Sequence, residues 1–181
     1  SNQYAILIMK FMDFILPKLV NANDFEELVR DVFAFRTKNP NLQRYGRSGQ
    51  KQEGIDIVGI AGRNFIDNST LVLQCKNHTT PIKDEDLCKE IDDELKSFNE
   101  SSFKTDEFHF VTSAANSVNV VNHILEINEA RKKSNLKPIF IHFWDDIARD
   151  VKNNQFLLHK YYGKQIPFSR LYNLMNHDGD I

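Results

Sequence analysis

Two short apolar runs, Gly54-Ile55-Asp56-Ile57-Val58 and Leu71-Val72-Leu73-Gln74-Cys75-Lys76, constrain the fold of this chain more than any other feature. Both are dense in β-branched and aliphatic residues and too short for helices, so they read as buried strands. Strands covered by helices on both faces run almost unbroken in Val, Ile and Leu. A carboxylate, an amide and an ammonium interrupt these two, and each needs a reason. Gln74 and Lys76 lie two apart and share a face of their strand. An Asp on one strand facing a polar residue and a Lys on its neighbour makes a compact place for a divalent metal and a phosphate.

The surrounding pattern supplies layers for such a pair. Phe25, Leu28, Val29, Val32 and Phe33 recur at helical spacing, which predicts a helix from about Asp24 to Arg36. Asp24 with Glu27 three residues on has the form of a capping box. Leu42 to Arg47 reads as a first strand, Ile55–Ile60 and Thr70–Lys76 as a hairpin. Pro81 and the acids Asp84, Glu85 and Asp86 are expected to open a helix that runs to about Phe98 with Leu87, Ile91, Leu95 and Phe98 inside, the three acids complementing the helix dipole. A strand at Phe108–Val111, a helix at Asn116–Lys133, a strand at Pro138–Phe143 and a short helix at Trp144–Val151 follow. This order predicts an α/β/α sandwich around a central mixed sheet of about five strands. The expected organisation is an N-terminal helix or arm over 1–23, a main domain over 24–152 and a helical extension over 153–181. At 181 residues, 41% of them hydrophobic, the chain is long enough for one proper core.

Metal-assisted phosphodiester hydrolysis needs few parts. Oxygen ligands hold a hard cation, usually Mg²⁺, and a nearby ammonium stabilises developing charge. Asp56 offers a carboxylate, Gln74 an amide oxygen, Cys75 its backbone carbonyl and Lys76 the cation. For a second carboxylate, Glu26 and Glu27 compete. At about 100° per residue Glu26 falls at the edge of the buried stripe, whereas Glu27 points to solvent and has the capping role, so Glu26 is preferred.

The helical Phe25-Glu26-Glu27-Leu28-Val29, Gly46-Arg47-Ser48-Gly49, Gly54-Ile55-Asp56-Ile57 and Val72-Leu73-Gln74-Cys75-Lys76 together resemble the catalytic core of Mrr-type restriction endonucleases. These belong to the PD-(D/E)XK superfamily, in the branch with Gln rather than Glu before the Lys. The resemblance spans roughly residues 24 to 145. It implies a restriction-endonuclease-like fold, a site of Asp56, Gln74, Lys76 and Glu26, and Mg²⁺ as cofactor with Mn²⁺ able to substitute. It also implies DNA as partner, a homodimer, and attachment to further domains of a larger bacterial defence protein. The chain departs from the family just before its Gly-x-Asp element, where Gln50-Lys51-Gln52-Glu53 replaces an acidic or Gly-rich turn.

Net charge is only −2, but its distribution is uneven. Arg36 to Glu53 holds five basic residues and one acid, whereas Asp84 to Glu100 holds eight acids. One face is thereby suited to a polyanion, and Arg44, Arg47, Ser48 and Lys51 are the expected contacts to backbone phosphates. The alternatives are a non-catalytic nucleic-acid-binding or assembly module on the same fold, and an RNA-directed nuclease. His78 reads as an exposed loop residue, His109 and His142 as core or edge residues, and Trp144 as core. Cys75 is not expected to act as a nucleophile, having no His placed to activate it. Two cysteines make no disulfide framework, and residues 4–20 are too short and too charged to span a membrane, so a cytoplasmic location is expected.

Overall fold

A computed structural model describes residues 15–45, 54–61, 69–101 and 105–163. The described elements are α1 (Ala22–Thr37), β1 (Gln43–Arg44), β2 (Ile57–Ala61), β3 (Ser69–Lys76), α2 (Asp84–Glu100), β4 (Glu107–Thr112), α3 (Val118–Lys133), β5 (Ile139–His142), α4 (Trp144–Lys152) and α5 (Gln155–Tyr162). The strands form one mixed sheet in the order β1-β2-β3-β4-β5. The β1–β2 and β2–β3 pairs are antiparallel, and β3–β4 and β4–β5 are parallel. The expected hairpin is thus present, and each parallel step is made by a crossover helix, as parallel neighbours require.

Alternation along the strands distributes side chains between two faces. Val72, Phe108, Phe110 and Ile139 enter one core with Leu87, Ile91, Leu95 and Phe98 of α2 and Val120 and Ile124 of α3. The opposite face carries α1. Phe33 sets its ring edge-on against His109 and His142, and Phe25 packs on the buried Trp144. Helices therefore cover both faces of the sheet, as the order of elements predicts.

Helix α1 starts earlier than the sequence pattern indicates. Its N-cap is Asn21, whose side chain accepts from the Asn23 and Asp24 backbone N–H groups at 2.8 and 3.4 Å. Asp24 is therefore inside the first turn and no Asp24–Glu27 capping box forms; Glu27 lies 3.6 Å from Arg30 instead. An Asn followed by Ala and Asn satisfies the orphan donors just as well as Asp24 would, three residues sooner. On the outer rim of β5, Asn128 of α3 accepts from the Ile139 N–H at 2.8 Å and donates to the Ile139 carbonyl at 2.9 Å.

Contacts divide the chain into two units, one over Lys18–Ile147 and a second that includes the described residues 15–17 and 148–163. In the second, Leu16, Val151, Leu157, Leu158 and Tyr162 are buried, and the Tyr162 hydroxyl donates to the Pro17 carbonyl at 2.9 Å.

Candidate active site

The first of the two motif runs is not a regular strand throughout. The Asp56 N–H donates to the Leu73 carbonyl at 2.9 Å, although Leu73 pairs in register with Ile57. Two residues of one strand thus oppose one of the other, which is the arrangement of a β-bulge. Ile55 and Val58 accordingly both join the core under α2, three residues apart, where an unbroken strand would send them to opposite faces. On the other side the Tyr45 N–H donates to the Asp56 carbonyl at 2.6 Å. The bulge re-aims the Asp56 side chain along the sheet, and its Oδ2 accepts from the Cys75 N–H at 2.7 Å.

Asp56 is buried, and burial is the main reason its carboxyl is pushed up from 3.8 to about 6. The Cys75 N–H pulls the other way, the nearby Glu26 charge raises it further, Lys76 opposes that and Glu94 adds to it. Gln74, beside Leu73 on β3, is buried too, and among the described residues its Oε1 has no hydrogen-bond partner. A buried amide oxygen left unmatched costs about 1–3 kcal/mol, so this atom calls for a ligand. In extended backbone a residue's N–H and C=O point to the same edge. The Cys75 carbonyl therefore faces the edge from which Asp56 approaches. The Cys75 thiol is buried, and desolvation holds it well above its ordinary value, with Asp56 and Glu26 adding to the effect.

The structure brings Asp56, Gln74, Cys75, Lys76 and Glu26 to the same end of the β2–β3 pair. Glu26, on the first turns of α1, is close enough for its charge to be felt at Asp56 and Cys75. Arg44 turns out to be part of this cluster: its Nη2 donates to Glu26 Oε2 and to Asn23 Oδ1, the latter at 2.9 Å. Arg47, Ser48 and Lys51, expected to contact phosphates, lie outside the described residues.

Two neighbours escaped the sequence reading. Glu94 of α2 accepts from Lys76 Nζ, and Glu90 Oε2 lies 3.1 Å from His78 Nε2. His78 is partly buried rather than an exposed loop residue, and its N–H donates to the Ser113 hydroxyl at 2.6 Å. The signal was present: Glu90 is three residues past Leu87, and Glu94 is three past Ile91 and four before Phe98. Both therefore flank the inner stripe of α2.

The donor set suits a hard cation. Among the described residues no three His, Cys, Asp or Glu side chains converge into a ready-made metal cage. Asp56, Glu26, the Gln74 amide oxygen and the Cys75 carbonyl offer a sparse set of oxygens instead. That is the manner of Mg²⁺, which is held by one or two carboxylates while keeping several waters, and not by an all-protein cage. An ion held there would give the orphaned Gln74 Oε1 a partner.

Comparison with family models, with curated proteins and with solved structures gives no match, so the chemistry rests on these residues. No described helix is long and apolar enough to cross a membrane.

Proposed function

We propose that the chain is a Mg²⁺-dependent endonuclease that hydrolyses phosphodiester bonds of double-stranded DNA, with Mn²⁺ able to replace Mg²⁺. The observation that carries this reading is the buried Gln74 oxygen, unmatched among the described residues, on the strand whose next residue, Cys75, holds the buried Asp56 carboxylate through its N–H. Asp56, Glu26, Gln74 Oε1 and the Cys75 carbonyl would hold the ion. Once bound, the ion supplies an activated water and neutralises charge on the phosphoryl oxygens. The chain itself supplies the rest. Lys76 presents an ammonium with three donors, one engaged by Glu94, leaving others for a phosphate oxygen or the attacking water. Asp56 is kept in place by the Cys75 N–H, and Arg44 holds Glu26. The Mrr-type resemblance supports a role in restricting foreign DNA, alone or as the nuclease domain of a larger defence protein, and paired copies for cutting both strands.

The test is cleavage of supercoiled plasmid with Mg²⁺ or Mn²⁺ by the wild type, Asp56→Ala and Lys76→Ala. Each variant is expected to lose activity by at least about 100-fold. Equal rates in all three would remove the assignment. Calorimetric titration with Mg²⁺ separates the non-catalytic alternative, since a heat independent of Asp56 contradicts the metal site. A parallel assay on structured RNA decides the substrate: cleavage of RNA alone would keep the chemistry and replace DNA.

A further inference from the structure

β3 and its exit present Gln74, Lys76 and His78 at two-residue spacing, and α2 answers with two carboxylates one turn apart. Glu94 Oε1 accepts from Lys76 Nζ, and Glu90 sits against His78. The α2 helix is fixed over the sheet by the buried Leu87, Ile91, Leu95 and Phe98, so these acids are presented from a rigid surface. Glu94 is also approached by the Gly54 turn. A Cβ on Gly54 would stand 2.8 Å from the Glu94 carbonyl oxygen and 3.3 Å from its Oε2. The turn that launches Gly54-Ile55-Asp56 therefore rests on the same residue that grips Lys76.

A lysine side chain has four flexible torsions and much rotamer entropy to lose. Left alone, its ammonium samples many positions, and few of them lie within reach of a reacting phosphate. Catalytic benefit from a charged group depends on its being held in near-attack geometry, and a misplacement of about 1 Å can cost about 100-fold. We propose that Glu94 is a positioning residue for Lys76: it fixes the ammonium beside Asp56 and Gln74 and acts on the reaction only through it. The inference rests on the phosphodiester hydrolysis proposed above.

Kinetics on supercoiled plasmid with Mn²⁺ test this with Glu94→Gln, Glu94→Asp, Lys76→Met and the Glu94→Gln/Lys76→Met double variant, each first shown to melt cooperatively. Glu94→Gln is expected to lower kcat by about 100-fold with KM within about threefold, as for a group acting in the transition state alone. Glu94→Asp should recover part of the loss. In the Lys76→Met background, Glu94→Gln should have no further effect, because residues that act as one unit are not additive. Wild-type kcat in Glu94→Gln, or a double variant losing the product of the two single losses, overturns the proposal.

A second measurement is independent of cleavage. The ¹⁵N signal of the Lys76 ammonium, slowed in proton exchange by its carboxylate, should be visible in the wild type and lost in Glu94→Gln. An unchanged signal also overturns the proposal. If the wild type cuts neither plasmid nor RNA, the hydrolytic reading fails, while the ammonium signal still decides whether Glu94 holds Lys76.

Discussion

The carboxyl of Asp56 is buried, accepts a backbone N–H through Oδ2, and still titrates near 6 rather than 3.8. A folded-state value above the unfolded one means that the folded state gains nothing from ionisation. Relative stability is full below about pH 3.8 and declines as pH rises through 6. At neutral pH the penalty is on the order of 3 kcal/mol. Asp56→Asn, which keeps an acceptor for the Cys75 N–H, should therefore be more stable than the wild type at pH 7.5 without metal. That advantage should shrink towards zero near pH 4, as followed by urea unfolding at each pH. Added Mn²⁺ should raise the melting temperature of the wild type and leave Asp56→Asn unmoved, since only a folded site that binds is stabilised. A variant no more stable at pH 7.5 would show that the burial penalty is offset by groups other than a metal. Gln74, Lys76 and Glu26 were legible from sequence because strand alternation and helix periodicity are local. Glu94 was not, because its role depends on α2 lying over β3, which no local pattern states.

Among the elements, the Gly54 turn and the bulge after it decide where Asp56 points. Gly54 has φ +73°, a left-handed conformation that glycine adopts without penalty. Glu94 backbone occupies the space a side chain would need. Gly54→Ala should thus lose at least about 2 kcal/mol in urea unfolding and disturb Lys76 through Glu94. A stability unchanged from wild type would mean the turn relaxes freely. The bulge itself had no sequence signature: the run Gly54–Val58 reads as plain strand, and only the pairing of Leu73 with two residues reveals it.

On the other face, a polar chain ties α1 to β4 and β5. Arg36 Nη1 lies 3.2 Å from His142 Nδ1, His142 Nε2 2.9 Å from His109 Nδ1, and His109 Nε2 2.9 Å from Glu107 Oε2. Arginine only donates, so His142 Nδ1 must accept and its proton sits on Nε2. The same logic passes to His109, whose Nε2–H then meets the carboxylate. Both rings are neutral Nε2–H tautomers. Burial is the main cause that lowers His142 to about 3; a protonated His109 and the Arg36 guanidinium would each oppose a charge there, and Asp146 favours one. A depressed value contributes stability above the unfolded 6.5 that is lost as pH falls through 3. Imidazole ¹⁵N spectra should show both tautomers at pH 7, with His142 still neutral at pH 4.5. A charged His142 at that pH would contradict the chain. Sequence placed these histidines in the core or at an edge, but their mutual bond arises from a parallel register fixed only by the fold.

For the molecule as a whole, the succession of helix, hairpin, helix, strand, helix, strand was enough to anticipate a mixed sheet with helices on both faces. Parallel neighbours joined through a helix leave few other solutions. The ends of elements were less legible: the start of α1 turns on the Asn21 side-chain cap, which propensity does not weigh, and β1 keeps only Gln43 and Arg44. At the β5 rim, Asn128 engages both the N–H and the C=O of Ile139, imitating with one side chain the neighbour a sixth strand would be. A sheet rim is where chains most readily zip together, whether in productive pairing or in aggregation. At Ile139 that seam is already closed. The sheet is spared growth at that point by a single amide.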